Sequence, residues 1–217
     1  MFGNVQAPQK SKDRLPRKEK NMSEMDEIIG QLNTHHWIPD KARTGILLID
    51  LQEYFREIIT PILESIIGVI SSARERKIPL FFTQHGHEPG EKPGMLAQWW
   101  IDLIIKGSDD GRLLSDLDIR EGDSIIPKTT YNAFHKTDLE EKLKDDGITD
   151  LVIGGVMTNL CCETTARDAF VRDFRVFFLA DGTSTISEDF HLATLRNVGY
   201  GFATLMGCDQ LIKILNA

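Results

Sequence analysis

The feature that most constrains the fold of this chain is a regular alternation of short apolar runs with longer amphipathic stretches, beginning near residue 44. The first run, Gly45–Ile49, is apolar throughout and ends at Asp50, as expected for a strand that is buried on both faces. The stretch from Pro61 to Arg74 then places isoleucines at helical spacing. Repeated strand–helix alternation predicts an α/β fold: a single doubly wound domain with a mostly parallel central sheet of about six strands, flanked by helices on both faces.

The same pattern predicts where the individual elements lie. We expect strands at 45–49, 79–83, 124–127, 151–156, 176–180 and 202–206. We expect helices at 61–74, 136–144, 161–172, 188–197 and 209–215, after a short helix that starts near residue 23. Residues 84–123 are different, because they carry few clear elements and many Gly, Pro and charged residues. Such a long irregular segment is typical of a lid or a pocket wall.

Length and charge limit the classes of protein to consider. The 217 residues suit one domain, residues 23–217, preceded by a basic N-terminal extension, residues 1–22, that is poor in large apolar groups. A formal net charge of −8 argues against nucleic acid as the main partner. No apolar run approaches the roughly 18 residues that a membrane span needs, so no membrane partner is expected.

The start of the chain and its cysteines bear on location. The first residues lack the apolar stretch of a secretory signal. We interpret the basic extension as an arm without a targeting role, and a targeting peptide is the alternative. Three cysteines, two of them adjacent, make a poor disulfide framework. We therefore expect a cytoplasmic protein with reduced thiols.

Three reactive side chains fall at or just past predicted strand ends. Asp50 closes the first strand, Lys128 follows the third, and Cys161 lies where a helix follows the fourth. Ligands bind at the carboxyl ends of the strands in such sheets, so these groups are expected to converge on one crevice. Lys128 and the helix start would favour the Cys161 thiolate, Asp50 would accept the thiol proton, and free N–H groups at the helix start would hold an oxyanion.

Each of these residues also has a purely structural interpretation. Asp50 could make a turn contact and Lys128 could lie on the surface, while a free cysteine is more often a small buried hydrophobe than a nucleophile. Helical spacing separates the two adjacent cysteines. Cys162 shares an apolar stripe with Ala166 and Ala169, whereas Cys161 lies on the more polar side. Cys161 is therefore the better candidate for the nucleophile.

Three longer segments resemble a known family. They are LLIDLQEYF at 47–55, PKTTYNAFHKTDLEEKL at 127–143 and GGVMTNLCCETTARDAF at 154–170. In this order they are similar to the three motif segments of the isochorismatase-like cysteine hydrolases. The resemblance implies a catalytic triad of Asp50, Lys128 and Cys161 and no cofactor. It also implies a non-proline cis peptide between Val156 and Met157, which would direct the Met157 N–H, with that of Cys161, at the oxyanion.

The resembling segments also supply candidate substrate contacts. Gln52 and Phe55 follow Asp50 in the first segment, and Tyr131 and Phe134 follow Lys128 in the second. Tyr131 and Phe134 are expected to stack on a small-molecule substrate, with packing in the core as the alternative. The resemblance further implies a homodimer or a homotetramer.

A metal site is the next question that the resemblance raises. Nicotinamidases of this family bind zinc with D-x-H after the second strand, whereas His85 stands here where the aspartate would be, with His87 two residues on. The two histidines could bind a metal with Glu88 or Glu91, but we expect pocket-wall or solvent-facing residues and no metal. The departure also argues against nicotinamidase activity.

Three hypotheses for the function remain. Retention of Cys161 favours cleavage of a small amide or ureide C–N bond through a thioester, with Asp50 as base and Lys128 as electrostatic partner. The alternative is an isochorismatase that cleaves the vinyl ether of isochorismate to pyruvate and a dihydroxy-cyclohexadiene carboxylate without covalent catalysis. The segments around residues 35–55 and 130–143 look closest to enzymes of that kind, which commonly carry glycine at the cysteine position. A catalytically silent binding member is the second alternative.

Overall fold

The computed structural model describes residues 22–91, 94–100 and 102–217, with side chains described from Glu27 onward. These residues form one six-stranded sheet in which every paired strand is parallel. The strands are β1 (Thr44–Ile49), β2 (Leu80–His85), β3 (Ser124–Lys128), β4 (Asp150–Val156), β5 (Arg175–Ser184) and β6 (Thr204–Met206).

Helices cover both faces of this sheet. Those in the described ranges are α1 (Met22–Leu32), α2 (Arg56–Ile59), α3 (Leu63–Glu75), α4 (Met95–Trp99), α5 (Leu139–Asp145), α6 (Glu163–Val171), α7 (Glu188–Gly201) and α8 (Cys208–Asn216). Among them there is no helix whose length and apolar character would let it cross a membrane.

The order of the strands is β3-β2-β1-β4-β5-β6. The chain winds outward from β1 through β2 to β3, then returns to the other side of β1 and winds outward through β5 to β6. The direction therefore reverses between β1 and β4, and a crevice at the carboxyl ends of the strands is expected at this point. The register pairs Ile49 with Gly155 and His85 with Lys128, so these strand ends lie along one edge of the sheet.

Each face of the sheet buries its own hydrophobic cluster. In β1, Leu47 and Ile49 belong to the cluster covered by α1, α5, α6 and α7. Ile46 and Leu48 belong to the cluster covered by α3 and α8. Alternate strand residues point to opposite faces, so a strand covered on both sides must be apolar at every position. The predicted doubly wound α/β fold is confirmed.

Three predicted strand boundaries are wrong by two residues or more. β2 ends at His85 and not at 83, and β6 begins at Thr204 and not at 202. The strand predicted at 176–180 continues to Ser184, because Thr183 and Ser184 pair with Gly155 and Val156 after a register shift between β4 and β5, in which the extra residues belong to β5. The Asp-Gly pair at 181–182 resembles a turn signal, which is why the sequence pattern ends the strand too early.

The helix predicted from Cys161 also begins differently. A π-helical turn, Thr158–Cys162, precedes α6, which begins at Glu163. In this turn the Cys162 N–H donates to the Met157 carbonyl at 3.2 Å. Single π turns inside helices occur frequently at functional sites.

The segment predicted to be irregular is largely so. β2 takes up its first two residues, and we call residues 86–123 the excursion. Within the described part of the excursion lie α4 and a short 3-10 turn, Ser115–Leu117. The predicted N-terminal extension, residues 1–22, lies outside the described residues except for Met22, so it stays a prediction.

Candidate active site

Asp50 is the first residue after β1, and its conformation is fixed by the neighbouring strand. It has a φ of 51°, an uncommon value for a residue other than glycine. The Thr83 hydroxyl on β2 accepts from the Asp50 N–H at 3.0 Å and donates to Asp50 Oδ1 at 2.6 Å. Both residues are fully buried. Thr83 therefore holds the backbone and the carboxylate of Asp50 in one orientation.

Lys128 is the last residue of β3 and reaches over the end of β2 to Asp50. Its Nζ lies 2.7 Å from Asp50 Oδ2, and the two side chains are 0% and 1% exposed. The ammonium also donates to the Thr130 carbonyl at 2.9 Å. Burial alone would lower the pKa of Lys128, but the adjacent Asp50 and Cys161 raise it, and the net shift is upward. Lys128 is therefore a buried cation paired with Asp50.

Cys161 completes this contact set from the π turn after β4. Its Sγ lies 3.5 Å from Lys128 Nζ, and the residue is 8% exposed. Burial is the main cause that raises the pKa of the Cys161 thiol to about 12, with Lys128 opposing the shift and Asp50 adding to it. Lys128 favours the thiolate, as expected from the sequence, but desolvation of the buried sulfur outweighs the ammonium charge, so the net shift of the pKa is upward. At neutral pH the unliganded site holds a thiol.

The backbone before Cys161 has the predicted cis peptide, between Val156 and Met157. Gly155 precedes it with a φ of 112°, and a Cβ at this position would overlap the backbone of Ile49. Only glycine therefore lets β4 approach the end of β1 this closely. Met157 directly precedes the π turn and Cys161 lies within it. The role of their N–H groups as oxyanion donors stays a prediction.

Gln52 lies two residues beyond Asp50 and is fully buried. Its amide nitrogen donates to the carbonyls of His85 and Gly111 at 2.8 and 2.9 Å, and its Oε1 accepts from the His85 N–H at 2.7 Å. These contacts tie the end of β2 to the excursion. Both amide hydrogens of Gln52 already have backbone partners. Its predicted contact with substrate stays a prediction.

The three aromatic candidates occupy different environments. Phe55 is partly buried against the cluster under α3 and α8. Tyr131 accepts a hydrogen bond from Trp100 Nε1, which links the segment after Lys128 to the excursion. Phe134 is 6% exposed and its ring stacks on Phe174 at 5.9 Å, with the Arg172 guanidinium over it. The burial of Phe134 favours the core-packing alternative over a substrate contact.

His85 and His87 lie beside the site, with ring centroids 5.1 Å apart. They are 9% and 1% exposed, so neither faces solvent as the sequence interpretation allowed. Burial foremost, and then the charge of Lys128, lowers the pKa of His85 to about 4, so its ring is neutral. Glu91 Oε2 lies 3.6 Å from His87 Nδ1, but no cluster of three or more His, Cys, Asp or Glu in the described ranges could hold a metal ion. A cavity of about 110 Å³ adjoins His85 and Lys128.

Two positioning residues carried little sequence signal. Thr83 sits in an apolar strand, where a threonine is unremarkable. His191 showed no metal-ligand spacing, yet in the fold its Nδ1 lies 3.0 Å from the Thr158 hydroxyl in the π turn. For Thr83 the signal was a polar side chain within an apolar strand, whereas His191 lies on a helix of mixed polar and apolar residues and gave none.

Comparison with known proteins agrees with the geometry. Residues 44–210 match the family model described as Isochorismatase domain. Nicotinamidase 3 of Arabidopsis thaliana is 41% identical over 180 residues, covering 82% of this chain and 91% of that protein. Ureidoacrylate amidohydrolase RutB of Methylobacterium radiotolerans is 32% identical over 191 residues, covering 73% of this chain and 74% of that protein.

The fold has close counterparts among solved structures. The crystal structure of a cysteine hydrolase from Pseudomonas syringae pv. phaseolicola 1448A aligns with a TM-score of 0.81 at 22% sequence identity, covering 83% of this chain and 96% of that one. The doubly wound sheet and the family match together define a hydrolase. The chain belongs to the isochorismatase family.

Proposed function

We propose that this protein hydrolyses the C–N bond of a small carboxamide or ureide through a thioester on Cys161. The observation that carries the proposal is the contact set of Asp50, Lys128 and Cys161, in which Lys128 Nζ lies 2.7 Å from the carboxylate and 3.5 Å from the sulfur. A nucleophile and an acid–base group that both contact one fixed cation support acyl transfer as the reaction type.

The first half of the proposed reaction forms the thioester. Asp50 accepts the Cys161 proton as Sγ bonds to the carbonyl carbon, and the carbonyl electron pair moves onto oxygen. The Met157 and Cys161 N–H groups donate to that oxygen. When the carbonyl re-forms, the C–N bond breaks and Asp50 returns the proton to the leaving nitrogen, which departs as ammonia or an amine.

The second half consumes water. Asp50 takes a proton from a water molecule whose oxygen attacks the thioester carbon, and the collapse of this intermediate breaks the C–S bond. Asp50 then returns the proton to the departing sulfur. This half releases a carboxylic acid and restores the resting thiol, so the overall reaction converts amide plus water into carboxylic acid plus ammonia or an amine.

The high pKa of Cys161 gives the first step a specific character. Burial raises the pKa of this thiol to about 12, so little thiolate exists before substrate binds. Proton transfer to Asp50 is therefore coupled to attack on the substrate. Lys128 compensates the negative charge that would otherwise accumulate on the buried carboxylate and sulfur, where bulk water screens charge poorly.

Relatives support the substrate class. One relative is named a nicotinamidase and another a ureidoacrylate amidohydrolase, and each name describes cleavage of a carboxamide or a ureide. The replacement of the D-x-H aspartate by His85 argued against nicotinamidase activity, whereas the identity of 41% to Nicotinamidase 3 favours a heteroaromatic carboxamide. Nicotinamide therefore belongs in the first substrate panel.

The test measures product release from nicotinamide, ureidoacrylate and isochorismate with the wild type, Cys161→Ala and Cys162→Ala. Cys162 is the matched control, since it is a fully buried neighbouring cysteine in the apolar cluster. We expect ammonia release from an amide or a ureide in the wild type and Cys162→Ala, and none in Cys161→Ala.

Two other outcomes would replace the proposal. Turnover of isochorismate alone, retained in Cys161→Gly and lost in Asp50→Asn, would establish the vinyl-ether hydrolase. A lack of turnover across this panel and wider sets of amides and ureides would favour the silent binding member.

A further inference from the structure

The turn that carries Cys161 is held by a side chain from a distant element. The Thr158 hydroxyl, in the first residue of the π turn, lies 3.0 Å from Nδ1 of His191 on α7. The two residues are 0% and 2% exposed. A buried hydroxyl must be hydrogen-bonded, and a threonine in a helical turn can otherwise bond to the backbone of its own helix. The contact with His191 instead ties the π turn to α7.

Two further hydrogen bonds from neighbouring elements reach the π turn and the first residue of α6. The Thr185 hydroxyl, just after β5, donates to Asn159 Oδ1 at 2.6 Å. The Thr194 hydroxyl on α7 donates to Glu163 Oε2 at 2.7 Å, at the start of α6. The segment around Cys161 is therefore fixed by three polar contacts with neighbouring elements. Of the three, that of His191 lies nearest in sequence to Met157.

Small displacements of this turn matter for the proposed reaction. Cys161 contributes the sulfur, and Met157 and Cys161 contribute the backbone donors, so one turn must place three groups around one carbonyl. A displacement of about 1 Å in such a constellation costs on the order of 100-fold in rate. The Cys162-to-Met157 bond of 3.2 Å is the backbone bond that closes the π turn.

We propose that His191 is a positioning residue, which holds the π turn through Thr158 so that Cys161 and the backbone donors face the substrate. This inference rests on the proposed function for its effect on turnover. The effect of His191 on the π turn can be measured without any catalytic activity, so the positioning role and the proposed reaction can fail separately.

The first test compares His191→Ala, His191→Asn and His135→Ala. An asparagine amide can place a hydrogen-bonding atom near the position of imidazole Nδ1, and His135 is an exposed histidine that controls for loss of an imidazole. We expect kcat to fall about 10- to 100-fold in His191→Ala with KM nearly unchanged. We expect substantial rescue in His191→Asn and no change in His135→Ala.

The second test measures alkylation of Cys161 by iodoacetamide at pH 8, in a Cys162→Ala background so that the labelled peptide reports one thiol. Burial is the main cause of the raised pKa of Cys161, so a loosened turn admits water and lowers that pKa. We expect labelling about tenfold faster in His191→Ala, which corresponds to one pKa unit, and restored slow labelling in His191→Asn.

The third test is a double-mutant cycle with Thr158→Val, read by the same labelling rate. If His191 acts through Thr158, the double variant is no faster than the faster single variant. Unchanged labelling in His191→Ala, or additive effects of the two substitutions, overturns the proposal. If the wild type turns over no amide or ureide, but labelling is fast in His191→Ala and slow again in His191→Asn, the positioning role is kept and the proposed reaction is rejected.

Discussion

The ends of the strands and the excursion line one cavity, and they differ in how far their ion pairs are shielded from solvent. At the strand ends, the ion pair of Asp50 and Lys128 is 1% and 0% exposed. In the excursion, the ion pair of Lys106 and Glu88 is 62% and 63% exposed, and Trp99 is 72% exposed. The comparison teaches that the sheet holds the catalytic candidates Asp50 and Lys128 in a fixed arrangement. The exposed side chains of the excursion are less constrained, and they can change the contacts with substrate without disturbing that arrangement. Substitutions at the strand ends should change kcat, and substitutions in the excursion should change KM.

The largest effect is expected from Cys161→Ala, because it removes the proposed nucleophile. We expect turnover of an amide or ureide substrate to fall by about 10⁴-fold or more, with the thermal unfolding midpoint nearly unchanged. Cys162→Ala should keep turnover within a few-fold of the wild type. Comparable activity in the two variants would contradict covalent catalysis.

The next largest effect concerns pH. Because the pKa of Cys161 is raised to about 12, the thiol is protonated at neutral pH, and each unit of increasing pH raises the thiolate fraction tenfold. Iodoacetamide labelling of Cys161 should therefore rise about 1000-fold between pH 7 and pH 10, whereas that of free cysteine rises only about 30-fold. A labelling rate that levels off below pH 9 would mean that Lys128 outweighs burial after all.

Lys128→Met should lower both activity and stability. We expect kcat to fall on the order of 100- to 1000-fold, since the developing charge loses its fixed cation. The free energy of unfolding should fall by about 3–5 kcal/mol, because Asp50 is left as a buried unpaired charge.

The double variant Asp50→Asn with Lys128→Met separates these two effects. It removes both charges, so denaturant unfolding should show most of the lost stability restored while activity stays absent. If the single variant unfolds like the wild type, Asp50 is not held as a carboxylate in the folded protein.

Thr83→Val should have a moderate effect on kcat. It keeps the shape of the strand residue but removes the donor to Asp50 Oδ1, a bond of 2.6 Å. Loss of one hydrogen bond to a charged group costs about 1.5–3 kcal/mol, or roughly 10- to 150-fold in rate if the loss falls on the transition state. Thr204→Val on β6 is the matched control, because Thr204 is a buried threonine remote from the strand-end site. Its kcat, measured by steady-state kinetics, should stay near that of the wild type.

The smallest effect is expected from Trp100→Phe in the excursion. This change removes the Nε1 donor to the Tyr131 hydroxyl, the contact that ties the excursion to the segment after Lys128. We expect KM to rise about two- to tenfold and kcat to stay within about twofold, since one neutral hydrogen bond contributes about 0.5–1.5 kcal/mol. Trp99→Phe, at an exposed neighbour, should change neither. A fall in kcat alone would mean that the excursion takes part in the chemistry.

Much of the fold and of the candidate site could be predicted from the sequence. Asp50, Lys128 and Cys161 each stand where a recognisable buried element ends, and parallel strands bring such ends to one edge of the sheet. The register shift that extends β5 could not be predicted, because it depends on pairing with β4. The π turn before α6 could not be predicted either, because the apolar pattern does not distinguish its Cys162-to-Met157 backbone bond from an α-helical one. The net upward shift of the Cys161 pKa could not be predicted, since it depends on burial that the charge pattern does not reveal.

The positioning residues escaped prediction for a related reason. Thr83 and His191 act on Asp50 and Thr158 through single side-chain contacts between elements that are far apart in the chain. Such contacts have no local periodicity. They become visible only when the strands and α7 are assembled.

The central claim is that Cys161 carries the acyl group, and rapid-quench intact mass spectrometry tests it most directly. The wild type and Cys162→Ala would be mixed with the amide or ureide that gives the fastest product release, quenched in acid, and mapped by peptide. We predict a transient mass increase equal to the acyl group, located on Cys161 and absent from Cys161→Ala. Steady product release with no adduct in the wild type, together with activity in Cys161→Ala, would contradict the thioester mechanism.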